Sequence, residues 1–501
     1  MKLPHVAALS LLLAGCGSSS SDASGKGPGS SPGMGGSGGD FGGLIGPDDF
    51  GYAADGERGD TASDAPGAMN GPSALTLCGE YNLAQTTVLR AHPAATHSLA
   101  SATRAREKID GKLPPVSSSV RLEDHLSYFR PGAAPALAPG MLTALAALRP
   151  LEIGGTPIPG RYQLYVSVQA GPVKTRPKVS LTTLVDTSPS MAGEPLARAR
   201  KALRALADGL APGDHLTVMT TDSDVLFDQA LVDPSLDTQG LEEKLVLGAE
   251  TTPGFPLESA LEKAASLPGM PDWNRVVFIS DGQGDPATLP LAKLEQAGKS
   301  GVRTSSVGVG GSFVVGDALL YRAAQAGRGR YAYLDHADEA DRMLRARFNE
   351  VFGVAMDDVS VEVTLPWFLK SAETPGSAGT PAPQSLTPGG VLSFVFTLQA
   401  CHTDVMMKYG GSYELKVAAK FVDPELGIPG QLESIMKTSD YLKASSTGLD
   451  QLLATQAYVA AIKAPSQARF ADALAELEPL KQPGNAFEEM WSLLTAYPKK
   501  P

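Results

Sequence analysis

The chain has 501 residues, 54 acidic against 42 basic side chains, a formal charge of −12 and three cysteines, which is length for about three domains. The acidic balance argues against nonspecific nucleic-acid binding, which needs basic faces. The cysteines contain no Cys-x-x-Cys pair and exclude a disulfide scaffold, a zinc ribbon and thioredoxin-like chemistry in their usual forms. In chain order, Lys2 supplies a positive start, and Val6 to Ala14 is an apolar stretch too short to span a bilayer. It runs into Leu13-Ala14-Gly15-Cys16.

That ending resembles the lipobox of bacterial lipoproteins. The resemblance implies a signal peptide over residues 1–16, diacylation of Cys16 and anchoring in the cell envelope. Gly17, in place of Asp, fits that family's pattern for the outer membrane, facing the periplasm or the surface. Residues 17–72 are rich in Gly, Ser and Asp, with eight acidic and two basic residues and almost no apolar clustering. Such a segment cannot bury enough surface to offset its ordering entropy, so a disordered tether is expected. A Gly/Ser coil of that length has an r.m.s. span of roughly 40 Å.

From Val179 the pattern alternates. Val179–Val185 is a nearly continuous β-prone run, the mark of a strand covered on both faces. Pro195 to Leu210 places Leu196, Ala199, Leu203 and Leu206 at helical spacing, and Pro212-Gly213 stops it. Strands follow at Leu216–Thr220, Arg275–Ser280, Val302–Val309 and Gly329–Leu334. Helices are expected at Leu257–Leu267, at Leu289–Ala297 closed by Gly298, and at Asp317–Ala326. This predicts an α/β fold with a doubly wound sheet over residues 177–350, whose ligands bind at the carboxyl ends of the strands.

At those ends stand Asp186-Thr187-Ser188-Pro189-Ser190 and Asp281-Gly282, with Thr251 and Thr252 in a turn-rich stretch between. These are hard oxygen donors without thiolate or imidazole. A shell of neutral hydroxyls with few carboxylates leaves a divalent cation under-neutralised, which suits Mg²⁺, and able to take a last ligand from another molecule. The constellation resembles the metal-ion-dependent adhesion site of von Willebrand factor type A domains, an Asp-x-Ser-x-Ser motif followed by a Thr and a later Asp. The resemblance implies Asp186, Ser188, Ser190, Thr251 and Asp281 as ligands of Mg²⁺ or Mn²⁺, and a protein partner presenting Asp or Glu. Pro189 stands where the family usually has Gly, and Thr252 remains an alternative to Thr251. Gly111 to Pro115, Val120 to Phe129 and Gly327 to Tyr333 also look like segments of a group of bacterial type A lipoproteins.

The flanks, residues 73–176 and 356–442, contain β-prone runs at Arg161–Ala170, Val359–Leu365, Val391–Gln399 and Tyr413–Val422. They are expected to form one β-rich domain into which the α/β domain is inserted, with two separate small β domains as the alternative. Residues 446–501 carry two amphipathic stripes and are expected to be helical packing faces. Export leaves Cys78 and Cys401 as an even pair for an internal disulfide, against two separately buried thiols.

Other features are discounted. Gly308-x-Gly310-Gly311 lacks dinucleotide-site spacing, and His92 with His97 makes no convincing metal pair. Asp222 and Asp224 suit a solvated turn, Asp285 suits a cap, and Ser188 has no nucleophile elbow or placed base. The sequence therefore points to a non-enzymatic, lipid-anchored binding protein. The alternative is a metal-independent scaffolding lipoprotein, with a metal-assisted hydrolase third.

Overall fold

The computed structural model describes residues 87–498, apart from 92–97, 133–136, 154–155, 222–224, 230–231, 233–235, 249–255, 267–272, 312–315, 373–384, 425–426 and 445. The chain divides into units of residues 1–63 and 64–501, and every described residue lies in the second. Cys16, the tether, Cys78, His92, His97, Asp222, Asp224, Thr251 and Thr252 lie outside the described residues.

The strands are β1 (Thr87–Ala91), β2 (Leu142–Ile153), β3 (Thr156–Ala170), β4 (Val179–Val185), β5 (His215–Thr220), β6 (Val225–Gln229), β7 (Trp273–Ser280), β8 (Val302–Gly308) and β9 (Arg328–Tyr333). After them come β10 (Asp357–Leu365), β11 (Leu369–Ser371), β12 (Val391–Ala400), β13 (Glu414–Val422) and β14 (Pro429–Lys437).

The central sheet has six strands in the order β6-β5-β4-β7-β8-β9, parallel except for the edge strand β6. This is the doubly wound order in which the chain reverses direction beside its first strand. Every residue of β4, β7 and β8 is buried, because helices cover both faces. On one face the helix Glu194–Asp208 buries Leu196, Ala199, Leu203 and Leu206, as its spacing predicts. On the other, helices Leu257–Ala265 and Asp317–Ala326 pack against Leu184, Val276 and Phe278. One helix end differs from expectation. Gly298 lies inside helix Leu291–Lys299, where a Cβ would come within 3.0 Å of the Gly327 carbonyl oxygen, and Gly301 at φ +97° follows the end.

The flanks pair with each other across the insertion. One sheet runs β1-β10-β13-β14 and a second runs β11-β12-β3-β2, so each contains strands from both sides of the α/β domain. Leu164, Val168 and Leu392 of one sheet share a core with Val361, Val363, Leu415 and Val417 of the other, forming a two-layer β domain. Burial along β10 alternates, the pattern of strands half covered on one face. Residues 98–130 depart from the expected β-rich flank. They form helices Ala100–Asp110 and Leu122–Phe129, which lie beside β9 through a parallel bridge from Ser98 to Tyr331.

The C-terminal helices Thr447–Lys463, Gln467–Leu477 and Ala486–Ala496 bury Tyr458, Ile462, Leu477 and Met490 against Ala105 and Ile109 of the first helix. Among the described residues, no helix is long and apolar enough to cross a membrane.

Candidate metal centre

The sheet carries Asp186 and Asp281 to one edge because both directly follow adjacent parallel strands, β4 and β7. The backbone N–H of Asp186 donates to the Ile279 carbonyl at 2.8 Å, which continues the ladder one step past β4. Its carboxylate is held from two sides. Oδ1 accepts the Ser188 backbone N–H at 2.9 Å, and Oδ2 accepts the Ser280 hydroxyl at 2.7 Å. Ser280 in turn accepts the Gly282 N–H at 2.8 Å, so one hydroxyl links both strand ends.

Ser188 and Ser190 stand with their hydroxyl oxygens 3.0 Å apart, and Ser190 hydrogen-bonds the Asp281 carboxylate. Pro189 begins a 3₁₀ turn, Pro189–Met191, where its missing N–H lies in a first turn that needs no donor. Its departure from the usual Gly is therefore accommodated. Asp281 also accepts the Gln283 backbone N–H at 2.9 Å and its side-chain amide at 3.2 Å. Burial pushes its pKa above the ordinary carboxylate range against these hydrogen bonds, with the charge of Asp186 acting in the same direction as burial. The structure thus brings Asp186, Ser188, Ser190 and Asp281 together.

The loop is fixed by two glycines. Gly282 has φ +73°, and a Cβ on Gly316 would stand 1.8 Å from the Gly282 carbonyl oxygen. Only hydrogen permits this approach. Ser280, Gln283 and this glycine contact escape the motif. Ser280 and Gln283 flank Asp281 in the sequence, but nothing there shows which carboxylate each would hold.

The donor set fits a hard divalent cation. Asp186 and Asp281 are 1% and 0% exposed. Among the described residues no Lys, Arg or His is ion-paired with either, whereas each of the other buried aspartates, Asp124, Asp214, Asp335 and Asp357, is paired with an arginine. Burying two facing carboxylates without a counter-charge is costly. A second cluster, Asp335, His336 and Glu339, has its donor atoms within 4.8 Å of one another, but there a cation is already built in. Arg106 donates Nε and Nη2 to Asp335 at 2.6 and 2.8 Å and Nη2 to Glu339 at 2.7 Å. Gly308 ends β8 and Gly310 lies in a bend directly after it, and Asp285 caps a 3₁₀ turn by accepting the Ala287 N–H at 2.9 Å. Cys401 is buried and disulfide-bonded.

No family model matches the chain. Uncharacterized protein YfbK of Escherichia coli (strain K12) is 26% identical over 293 residues, 54% of this chain and 50% of the relative, so the match spans about half the relative's length. Among solved structures, the chain is similar to a von Willebrand factor type A protein from Catenulispora acidiphila, with 14% identity, 70% of this chain and 88% of that chain covered, and a TM-score of 0.42. It is also similar to the ArnB paralog VWA2 from Sulfolobus acidocaldarius, with 14% identity, 72% and 96% covered, and a TM-score of 0.37. BatB from Bacteroides thetaiotaomicron gives 16% identity over 34% of this chain and 98% of that chain, with a TM-score of 0.29. The chain's own strand order and strand-end motif describe a type A-like α/β domain.

Proposed function

We propose that the protein is a membrane-anchored, extracytoplasmic lipoprotein whose α/β domain binds a protein partner through a divalent cation, Mg²⁺ or Mn²⁺. The observation that carries this reading is the pair of buried carboxylates, Asp186 and Asp281, set beside Ser188 and Ser190 without an ion-paired base among the described residues. Those four residues would hold the ion, and the threonine that the sequence resemblance adds, Thr251 or Thr252, lies outside the described residues. The cation supplies a positive point with an open position for an Asp or Glu of the partner. Around it, Ser280 orients Asp186, Gln283 orients Asp281, and the two serine hydroxyls add donor oxygens without adding negative charge.

Cys16 with two acyl chains gives stable membrane association where one chain gives only marginal binding. The Gly/Ser/Asp-rich segment after it then sets the reach of the domain.

The test is capture of membrane proteins by the full chain in Mg²⁺ and in EDTA, together with calorimetry of Mg²⁺ binding. Capture and metal binding are expected in wild type and lost in Asp186→Ala, with an unchanged circular dichroism spectrum. Unaltered Mg²⁺ affinity in folded Asp186→Ala overturns the metal assignment. Capture that survives EDTA overturns the bridging role.

A further inference from the structure

We propose that Thr221 is a positioning residue of the metal centre. Its hydroxyl locks the Thr187 backbone, and through Thr187 it fixes both the Asp186 carboxylate and Gly248, which lies three residues before Thr251. The role rests on the reading of Asp186 and Asp281 as ligands of a divalent cation.

Past the end of β4 the ladder bonds run out one by one. Asp186 still donates its N–H to the Ile279 carbonyl of β7 at 2.8 Å, and Thr221, the first residue after β5, donates its own to the Val185 carbonyl at 3.1 Å. The Thr187 N–H lies beyond the ladder, in a buried residue where an unpaired donor is costly. The Thr221 hydroxyl oxygen takes the place of a strand carbonyl and accepts it at 3.1 Å. The two threonine hydroxyls also stand 3.1 Å apart, close enough for one to donate to the other.

The following peptide is clamped at both ends. The Thr187 carbonyl and the Ser188 N–H belong to one planar unit. The carbonyl accepts the Gly248 N–H at 2.8 Å, and the Ser188 N–H donates to Asp186 Oδ1 at 2.9 Å. With the Thr187 N–H also held, both peptide planes flanking its Cα are fixed. The Ser188 side chain, whose hydroxyl stands 3.0 Å from that of Ser190, leaves the chain at the next Cα. Gly248 belongs to the segment after helix Thr238–Lys244. That segment is itself tied down by Arg200, which donates Nε and Nη2 to the Leu245 carbonyl at 3.0 and 2.7 Å.

One hydroxyl thus sets the attitude of a strand end that carries Asp186 and Ser188, two of the proposed ligands. Mg²⁺ demands near-ideal octahedral geometry, so its affinity registers small displacements of these residues that leave the fold intact. Valine in place of Thr221 keeps the β-branched shape and removes the acceptor, so the Thr187 N–H loses its partner. Thr217 supplies the contrast. It is buried on the same strand, but its hydroxyl donates to Asp228 at 3.0 Å, nearer the opposite end of β5.

The experiment is calorimetric titration of the full chain with Mg²⁺, urea unfolding, and amide hydrogen exchange in EDTA, on wild type, Thr221→Val, Thr221→Ser and Thr217→Val. Thr221→Val should weaken Mg²⁺ binding about three- to tenfold, the size of one net hydrogen bond, and Thr221→Ser should restore it. Thr217→Val should lose stability with wild-type Mg²⁺ affinity. In EDTA, exchange at Thr187 and Gly248 should be slow in wild type and faster in Thr221→Val, which reads the lock with no metal present. Wild-type Mg²⁺ affinity in folded Thr221→Val overturns the positioning role alone. So does an equal fall in Thr217→Val, no recovery in Thr221→Ser, or unprotected Thr187 and Gly248 amides in folded wild type. Absence of Mg²⁺ binding by wild type overturns the metal reading as well.

Discussion

His125 makes the fold acid-sensitive in a defined window. It is fully buried in helix Leu122–Phe129, 6.2 Å from the Phe129 ring and 5.8 Å from the Tyr458 ring between centroids. Nδ1 lies 2.8 Å from the Arg121 carbonyl, so in the neutral ring this nitrogen carries the proton and donates. Nε2 is buried without a partner, and protonation would place an unsatisfied N–H and a charge there. Burial lowers the pKa from 6.5 to about 4, against the opposing effects of the Arg121 carbonyl and Asp124. Above pH 6.5 the ring is neutral in both states and its full contribution is present. As pH falls from 6.5 to about 4 the unfolded chain takes a proton that the folded chain refuses, so stability is lost progressively across that window. The full loss is about 3 kcal/mol, at 1.36 kcal/mol per unit. The substitution His125→Asn keeps a donor near the Arg121 carbonyl and removes the titration. Urea unfolding followed across the window should show the wild-type stability falling relative to His125→Asn by about that amount. A difference between the two proteins that stays constant with pH, or a folded-state His125 resonance titrating near 6.5, would refute the argument.

Four further outcomes are expected. Arg106→Met leaves Asp335 and Glu339 buried without their cation and should cost about 3–5 kcal/mol in chemical denaturation, part of it recovered by adding Glu339→Gln. Gly316→Ala drives a Cβ into the Gly282 carbonyl oxygen, and calorimetry should show Mg²⁺ affinity falling with the displaced Asp281 loop. Non-reducing peptide mapping should recover Cys78 linked to Cys401, and two alkylatable thiols would remove that pairing. If it forms, it closes a loop of roughly 300 residues, which the chain-entropy model rates at about 5 kcal/mol of stability as an upper figure. Cys16→Ala should move the protein to the soluble fraction or leave it as uncleaved precursor, as cell fractionation would show.

The α/β domain was legible because its strands are short β-prone runs alternating with helical spacing, Val179–Val185 the clearest, and the metal motif sits directly at two strand ends. The pattern was silent where an edge position or divided packing altered the rules. β2 reads as a helix former, Leu142-Thr-Ala-Leu-Ala-Ala-Leu148, followed by Pro150. It is a strand because it is the edge of its sheet, where Pro150 removes no ladder bond that is needed and the register shifts just past it. β14 likewise opens on Pro429 at a sheet edge and is nowhere fully buried. The helix Thr447–Lys463 hides its role differently. Leu449 and Leu452 pack on Tyr165 of the β domain, while Tyr458 and Ile462 pack on the other helices. A helix serving two partners has no single apolar stripe.

The segment before β2 was legible as motifs but not as position, because polar contacts place it. Leu99 donates its N–H to the Tyr331 carbonyl at 2.8 Å and Thr103 its hydroxyl to the Tyr333 carbonyl at 2.9 Å, which covers the open edge of β9. Ser98 and Arg121 both reach the Asp124 carboxylate, at 2.5 and 2.9 Å, and Arg121 extends its other nitrogen to Asp317 at 2.7 Å. Asp317 opens the helix that begins directly after Gly316, the residue lodged against Gly282 in the metal loop. Helices that precede the α/β domain in sequence thus hold the element that buttresses Asp281. Arg106 extends the same grip to Asp335, Glu339 and, in the last helix, Glu489 at 2.7 Å. Each of these arginines joins segments distant in sequence through fixed, multidentate donors that a lysine could not reproduce. The strand-end site is therefore supported by the chain on both sides of the domain that carries it.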